Sequence, residues 1–273
     1  MKLSKSDPDR QAAIDRSLTL ELVRVTEAAA VAAANWRGKG NEKAADAAAV
    51  EAMRAEMGNV HIDGRIVIGE GERDEAPMLW IGEEVGAGYA DGLVDLDATA
   101  KENVTALARA KGVPVSEITA CVLDRPRHAA LIDELRTAGV AIKLISDGDI
   151  AGIIHAVNTE DTGIDIYLGS GGAPEGVLAA AALRCIGGQM QGKLILDTDD
   201  KRQRALKMGV TEPNKKYRAD ELASGDVLFA ATGVTDGSLL TGVRYRQHSV
   251  RTNTVVMRSW SQTVRWISAE HRR

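Results

Sequence analysis

The sequence predicts an α/β protein in which helices pack on a sheet of short strands. Apolar residues first recur at helical spacing, and further along the chain they gather into short runs that end in glycine or charge. Helical patterns lie between the last four of these runs. This alternation is typical of a layered α/β domain with a parallel sheet.

Each element follows from a local pattern. The first helix is predicted over residues 14–36, where the two glycines of RGKGN end it, and an Ala-rich helix follows over residues 42–57. The strands are predicted over residues 65–68, 118–123, 141–145, 164–168 and 227–231. Between the last four strands, helices are predicted over segments that include residues 129–137, 150–157 and 174–185.

Length and composition limit the function. The chain has 273 residues, enough for one large domain or two modest ones. Aromatic residues make up 3% and the formal charge is -5, so we predict no nucleic-acid partner. The N-terminal segment is polar, and no apolar run approaches the roughly 18 residues of a membrane span, so we expect a cytoplasmic protein with no membrane partner. Cys121 and Cys185 lie in apolar stretches, which favours buried, reduced thiols.

The segments after the strands carry the candidate chemistry. They read GEGERDE, DRPRH, SDGD, GSGGAPEG and TGVTDG in chain order. The carboxyl ends of parallel strands and the helix N-termini that follow them form the ligand crevice of open α/β sheets. We therefore expect these segments to line a site.

The acidic segment IGEGERDEAPM indicates a cation site. Clustered carboxylates repel one another and need a cation, a proton or exposure to water, and an ordinary exposed acidic loop is the simpler alternative. Asp46 in the Ala-rich helix, Glu70 here and Glu175 after GSGGAP would make an all-oxygen set. Such a set favours Mg²⁺ or Mn²⁺. Asp46 alone is more typical of an ordinary exposed helix residue.

Two further segments suit a sugar phosphate. Arg125 and Arg127 flank Pro126 on a segment expected to be extended, where both guanidinium groups suit phosphate, although two surface arginines are as plausible. The glycines of GSGGAPEG suit an anion at a helix N-terminus or an ordinary tight turn. His128 is more typical of a cap or a surface residue than of a base.

The turn SDGD places Asp147 and Asp149 on either side of Gly148. Such a turn suits sugar hydroxyls or a metal ion. A helix N-cap at Asp149 is the competing interpretation, and both can hold together.

Several blocks together resemble the class II fructose-1,6-bisphosphatases, which are metal-dependent sugar-phosphate phosphatases. The blocks are ELVRVTEAAA, DGRIVIGEGERDEAPML, DRPRHAALIDELR, ISDGDIAG, GSGGAPEGVLAAAALRC and ATGVTDGSLLTGVRY. The resemblance implies a layered α-β-α-β-α sandwich, a homo-oligomer (dimer or tetramer) and gluconeogenic hydrolysis of the 1-phosphate of fructose 1,6-bisphosphate. Some members also accept sedoheptulose 1,7-bisphosphate.

Residue by residue, the resemblance implies a complete set of site residues. The metal ligands fall on Asp46, Glu70 and Glu175, with Mn²⁺ or Mg²⁺ as the cofactor, and Glu70 and Asp46 are the catalytic residues. The substrate contacts fall on Arg125, Pro126, Arg127, Asp147, Gly148, Asp149 and Gly172.

The chain departs from the family between Tyr89 and Leu93. There the family carries several tens of further residues, with an Asp-Pro-x-Glu-Gly-Thr loop that supplies two metal carboxylates and a threonine. The segment VDLDAT, with Asp95, Asp97 and Thr99, is an alternative candidate for this loop but lacks its Pro and Glu-Gly. We divide the chain into a truncated metal-site region, residues 1–92, and a substrate-binding region, residues 93–273. The alternative function is a sugar-phosphate-binding or regulatory relative that has lost catalysis.

Overall fold

A computed structural model of the chain describes residues 8–60, 79–80, 92–207 and 209–273. The chain divides into two compact units. The first comprises Met1–Arg65, Leu228–Met257 and Val264–Arg273, and the second comprises Ile66–Val227 and Arg258–Thr263. The predicted division between residues 92 and 93 separates regions by expected role, and it stays a prediction.

Helices and strands alternate through much of the described chain. The helices are α1 (Pro8–Ala34), α2 (Glu42–Met57), α3 (Ala100–Lys111), α4 (Ala129–Ala138), α5 (Asp149–Val157), α6 (Thr159–Thr162), α7 (Ala173–Ile186), α8 (Asp199–Lys207) and α9 (Ala219–Leu222). The strands are β1 (Leu79–Trp80), β2 (Thr119–Leu123), β3 (Ala141–Ile145), β4 (Ile166–Tyr167), β5 (Gln191–Leu194), β6 (Lys216–Arg218), β7 (Leu228–Thr232), β8 (Arg244–Tyr245), β9 (Ser249–Arg258) and β10 (Thr263–Arg272). Short 3-10 turns cover Val115–Glu117 and Pro126–His128.

The second unit contains a parallel sheet with helices on both faces. Strand β2 lies in the middle, and β3 and β4 pair with it in parallel. Ala120 and Val122 of β2 pack in a buried cluster with α3 and α4, whereas Cys121 packs in a cluster with α5 and α7. Helices on both faces are typical of parallel sheets. The predicted α/β layered class is confirmed.

A second sheet of this unit is antiparallel, with the order β1-β5-β6. The first unit has its own sheet in the order β10-β9-β7, with β8 paired antiparallel to β9. Helix α1 packs against α2 and β7. Its Ala30 and Ala34 form a small core with Val243 and Val250.

Most predicted elements are present with small shifts of their ends. The helix predicted over residues 42–57 is α2 with the same bounds, and the strand over 141–145 is β3 with the same bounds. The strand predicted over residues 164–168 is reduced to β4. The strand predicted over residues 65–68 lies outside the described residues.

One expectation about the sheet edges is wrong. The strand predicted over residues 227–231 exists as β7, but it pairs in the sheet of the first unit, so TGVTDG does not follow a strand of the parallel sheet. Its glycine at 233 serves close packing of two chain segments, because a Cβ atom there would overlap Thr241 O. A Cβ atom on Gly242 would lie 2.6 Å from the carbonyl carbon of Thr235. Glycine is needed at both positions because another backbone segment passes close to each of them.

The thiols are as the sequence predicts, since Cys121 and Cys185 are buried and free. Within the described ranges, none of the helices combines the length and the apolar character that crossing a bilayer requires.

Candidate active site

The parallel sheet brings three of the predicted segments to one edge. Leu123 at the end of β2 is paired in register with Ile145 at the end of β3, and Cys121 of β2 with Tyr167 of β4. The segments DRPRH, SDGD and GSGGAPEG follow these three strands. The carboxyl ends of the strands point the same way, which is where open α/β sheets bind ligands.

The two arginines after β2 differ in their surroundings. Arg125 has an extended backbone, with φ -133° and ψ 146°, and it is partly buried. The chain does not stay extended as predicted, because Pro126 begins a 3-10 turn, a position that suits the fixed φ of proline. Arg127 is exposed, yet its Nη2 and Nε atoms donate to Ser170 O at 2.7 and 3.0 Å. Its guanidinium group thus links the turn after β2 to the segment after β4.

The turn after β3 orients two carboxylates through hydrogen bonds from backbone N-H groups. Asp147 Oδ1 accepts from the Gly148 backbone nitrogen at 2.8 Å, and Asp149 Oδ1 accepts from the Ile150 nitrogen at 2.9 Å. The N-cap of α5 is Gly148, with φ +80°, so the N-cap interpretation of Asp149 is wrong. A left-handed conformation suits glycine, and Asp149 instead occupies the first helical position.

The charges around Asp149 are unfavourable to one another. Burial is the main cause that raises the pKa of Asp149 above its ordinary value, and the nearby carboxylates of Glu175 and Asp147 raise this pKa further. Two of the three segments therefore bring like charges close together. A cation would relieve this repulsion.

The segment after β4 ends in the N-terminus of α7. Gly172 is the N-cap, with φ -74° and ψ 152°, and Glu175 lies in the first turn, as predicted. The Glu175 carboxylate lies against Gly172, because a Cβ atom on Gly172 would overlap Glu175 Oε2. Negative charge is stabilised at this end of a helix by the unpaired N-H groups and the dipole.

The other two predicted metal ligands do not belong to the described part of the second unit, which contains Glu175. Asp46 is exposed on α2, a helix without buried residues, and it belongs to the first unit. Glu70 lies outside the described residues. In the part of the chain that the structure describes, no group of three or more His, Cys, Asp or Glu side chains is placed to hold a metal ion. The donors that are close, Asp149 and Glu175, are carboxylates and fit a hard cation by their chemistry.

The alternative segment VDLDAT has a structural explanation. Lys216 Nζ lies 2.7 Å from Asp95 Oδ1 and 3.0 Å from Asp97 Oδ2. Hydrogen bonds to Lys216 are the main cause that holds the pKa values of both aspartates below their ordinary values. Thr99 is the N-cap of α3 and forms a capping box with Glu102. Each of the three side chains thus has a partner other than a metal ion.

A cavity of about 570 Å³ adjoins the edge of the parallel sheet. Residues from several elements line it, among them Asn103, Arg127, His128, Ser170 and Lys201. The side chain of His128 is buried, so the expectation of a surface residue is wrong. His128 does occupy the N-cap position of α4, but its side chain makes no capping hydrogen bond. Sequence reasoning missed its contacts because the partner, Ser170, lies 42 residues later.

The comparisons with known proteins agree on one family. The chain matches the family model for bacterial fructose-1,6-bisphosphatase, glpX-encoded, over residues 16–91 and 88–271. It is 38% identical to a "D-fructose 1,6-bisphosphatase class 2/sedoheptulose 1,7-bisphosphatase" of Synechococcus sp. (strain JA-3-3Ab), with 94% of this chain and 96% of the relative covered. Proteins of the same name from Synechocystis sp. (strain ATCC 27184 / PCC 6803 / Kazusa) and Trichodesmium erythraeum (strain IMS101) are 38% and 37% identical, with 94% of this chain and 97% of each relative covered.

The alignments also show that a segment is missing relative to the family. Each alignment runs over 335 residues, whereas this chain has 273, so at least 62 aligned positions (335 minus 273) have no residue here. The two family matches meet at residues 88–91, within the region where the sequence predicts the loss. Most of the interval between Tyr89 and Leu93 lies outside the described residues.

Proposed function

The chain belongs to the bacterial fructose-1,6-bisphosphatase family, and on that premise we propose that it hydrolyses the 1-phosphate of fructose 1,6-bisphosphate. The products are fructose 6-phosphate and inorganic phosphate. The observation that carries the proposal is the family match on both sides of the missing segment, over residues 16–91 and 88–271. The shared edge of DRPRH, SDGD and GSGGAPEG supports it.

Arg125 and Arg127 bind the phosphate that stays on the sugar in this proposal. A guanidinium group remains charged and donates to phosphate oxygens in a fixed fork. The hydrogen bond to Ser170 O holds the guanidinium group of Arg127 beside the segment GSGGAPEG. Gly172 is a substrate contact at the start of α7 in this proposal, and Pro126 shapes the turn between the arginines.

The carboxylates divide between the sugar and the metal ion. Asp147, Gly148 and Asp149 form the turn that accepts hydrogen bonds from sugar hydroxyl groups. Glu175 is a metal ligand, while Asp46 and Glu70 remain predicted ligands and catalytic residues on the strength of the resemblance alone. When bound, a divalent cation lowers the pKa of water and neutralises charge on the transferred phosphate.

The finer proposals rest on the resemblance. We propose Mn²⁺ or Mg²⁺ as the metal of this metal-dependent family, sedoheptulose 1,7-bisphosphate as a second substrate and gluconeogenesis as the pathway. We also propose a homo-oligomer in the cytoplasm, for which the two buried free thiols are suitable.

The direct test is phosphate release from fructose 1,6-bisphosphate by the purified chain with Mn²⁺ and, separately, with Mg²⁺. Fructose 6-phosphate, which has no 1-phosphate, is the control substrate. Glu175→Gln is the matched variant, because it keeps the size of the side chain and removes its charge. We expect release by the natural chain and a loss of about 100-fold or more in the variant.

Two results would count against this proposal. Calorimetric binding of fructose 1,6-bisphosphate without phosphate release under either metal would favour the non-catalytic sugar-phosphate-binding relative. Equal rates for the natural chain and Glu175→Gln at saturating metal would remove Glu175 from the metal site.

A further inference from the structure

The buried imidazole ring of His128 joins the turn after β2 to the glycine segment after β4. His128 is 3% exposed and ends the 3-10 turn Pro126–His128. Its Nδ1 atom lies 2.8 Å from Leu123 O. Its Nε2 atom lies 2.9 Å from the Ser170 backbone nitrogen and 3.0 Å from Ser170 Oγ. Both ring nitrogens are therefore engaged by the protein.

These partners determine the protonation of the ring. A backbone N-H group only donates, so Nε2 must accept the hydrogen bond from Ser170. The ring proton is then on Nδ1, where it donates to Leu123 O, and the imidazole is neutral. Burial is the main cause that holds the pKa of His128 below its ordinary value of 6.5, which agrees with this geometry. With both nitrogens occupied, the ring is not placed to act as a general base.

Ser170 is held on two sides by adjacent residues. His128 accepts from its N-H group, while Arg127 donates to its carbonyl oxygen from two nitrogens. Ser170 is itself 7% exposed, so these contacts replace its contacts with water. Gly169 lies against the same ring, since a Cβ atom there would be 3.4 Å from His128 Cε1. The backbone on both sides of this peptide bond is thus fitted to the histidine.

The held segment leads directly into α7. Gly172, two residues after Ser170, is the N-cap of that helix, and the Glu175 carboxylate lies against it. A shift of Ser170 would therefore be passed to the start of the helix. Because Arg127 binds the same serine, the distance between this arginine and the helix N-terminus depends on Ser170.

We propose that His128 is a positioning residue. Its neutral Nε2 atom holds Ser170 in a position that allows Arg127 and the N-terminus of α7 to bind the same sugar phosphate. Its effect on turnover rests on the proposed function above, but its effect on the segment does not. The role differs from that of a buried histidine that only fills space, because it depends on an acceptor at one atomic position.

The test compares His128→Asn with His128→Gln. The asparagine amide reaches the position of Nδ1 and keeps a donor for Leu123 O, but it leaves the Ser170 N-H group without an acceptor. The longer glutamine carries an acceptor oxygen to the position of Nε2. We expect the asparagine variant to raise KM for fructose 1,6-bisphosphate about tenfold and the glutamine variant to stay within about threefold of the natural chain.

Amide hydrogen exchange over residues 168–175, without ligand, gives a readout that needs no turnover. We expect exchange there to quicken about tenfold in His128→Asn and to stay near the natural rate in His128→Gln. Calorimetric binding of fructose 6-phosphate should weaken in parallel. If the natural chain releases no phosphate, the proposed function fails, and the exchange comparison still decides the role of His128.

The proposal is wrong if both variants lose thermal stability alike while KM and exchange over residues 168–175 stay at their natural values. If His128→Asn does not fold, Gly169→Val takes its place, because a Cβ atom there would already contact His128 Cε1 at 3.4 Å and the two further methyl groups of valine would press on the ring. We then expect faster exchange and a KM increase of about threefold. Unchanged exchange and KM in that folded variant would equally overturn the proposal.

Discussion

The carboxylate of Glu175 lies directly against the α-carbon of Gly172, three residues earlier in the chain. A Cβ atom on Gly172 would be 3.0 Å from Glu175 Cδ and 3.3 Å from Oε1, so only glycine leaves room for the carboxylate in this position. The φ of Gly172 is -74°, which any residue can adopt. Glycine is therefore required at position 172 because of space. A larger residue there would displace the carboxylate of Glu175, the proposed metal ligand.

Gly172→Ala should move the Glu175 carboxylate and leave the helix intact. We expect thermal stability without metal to change little, because the displaced group is the flexible end of a side chain. The rise in Tm on adding Mn²⁺ should shrink, and kcat/KM should fall by about 10- to 100-fold from the displacement of one ligand. Thermal unfolding with and without metal, together with phosphate release, measures both effects.

Gly58→Ala is the matched control for this substitution. Gly58 ends α2 with φ -63°, and its new Cβ atom would be 3.4 Å from Ala55 O, which is close to ordinary contact. This variant should keep the metal-dependent rise in Tm and the activity. A Gly172→Ala protein that behaves in the same way would show that the position of the carboxylate does not matter.

Arg127→Ala and Arg125→Ala should separate substrate binding from structure. Both should raise KM, by a loss of about 1.5 to 3 kcal/mol for a charged hydrogen bond. Only Arg127→Ala should also lower Tm, because it removes the donors that hold Ser170 O. Steady-state kinetics and thermal unfolding of the two variants give the comparison. A lower Tm with an unchanged KM in Arg127→Ala would make that arginine purely structural.

Local patterns in the sequence predicted much of the fold. Helix α2 and strand β3 have their predicted bounds because apolar spacing, glycines and charges mark them within a few residues. The edge that collects Arg125, Asp147 and Gly172 was also predictable, since it follows from parallel strands alone. These signals do not depend on distant parts of the chain.

Non-local pairing accounts for what the sequence could not predict. Strand β7 has an apolar run like those of β2 and β3, but its partner β9 assigns it to another sheet. The burial of His128 depends on Ser170, which is distant in the chain. The N-cap of α5 is Gly148, in a left-handed conformation, and the helix begins at Asp149. Each error came from a contact or conformation that residue type alone does not specify.

Asp149→Asn should stabilise the metal-free protein at neutral pH. The pKa of Asp149 is raised, first by burial and then by Glu175 and Asp147, so its ionisation disfavours the folded state. This penalty grows as the pH rises above the ordinary pKa of 3.8 and through the folded pKa. The asparagine oxygen still accepts from Ile150 N-H, so we expect Tm to rise by a few degrees at pH 7 in the presence of a chelator. The difference should shrink toward pH 4.

Asp133→Asn is the control, because Asp133 lies on α4 with a side chain that is 77% exposed. Its Tm should stay close to that of the natural chain across the same pH range. A fall in Tm for Asp149→Asn at pH 7 would mean that the charge of Asp149 stabilises the fold.

Acid should weaken the fold through two histidines of the second unit. Burial is the first cause that lowers the pKa values of both His128 and His155 below 6.5. Between the folded pKa and 6.5 the unfolded chain binds more protons, so stability is complete above pH 6.5 and is lost as the pH falls through this window.

His128→Gln removes one titrating group and keeps an acceptor for Ser170. We expect it to reduce the slope of unfolding free energy against pH by up to about 1.4 kcal/mol per pH unit. Urea unfolding from pH 5 to 7.5 measures the slope, with the exposed His248 as the control in His248→Gln. Equal slopes for the natural chain and His128→Gln would mean that His128 binds protons equally in the folded and unfolded states, which would contradict a neutral, buried ring.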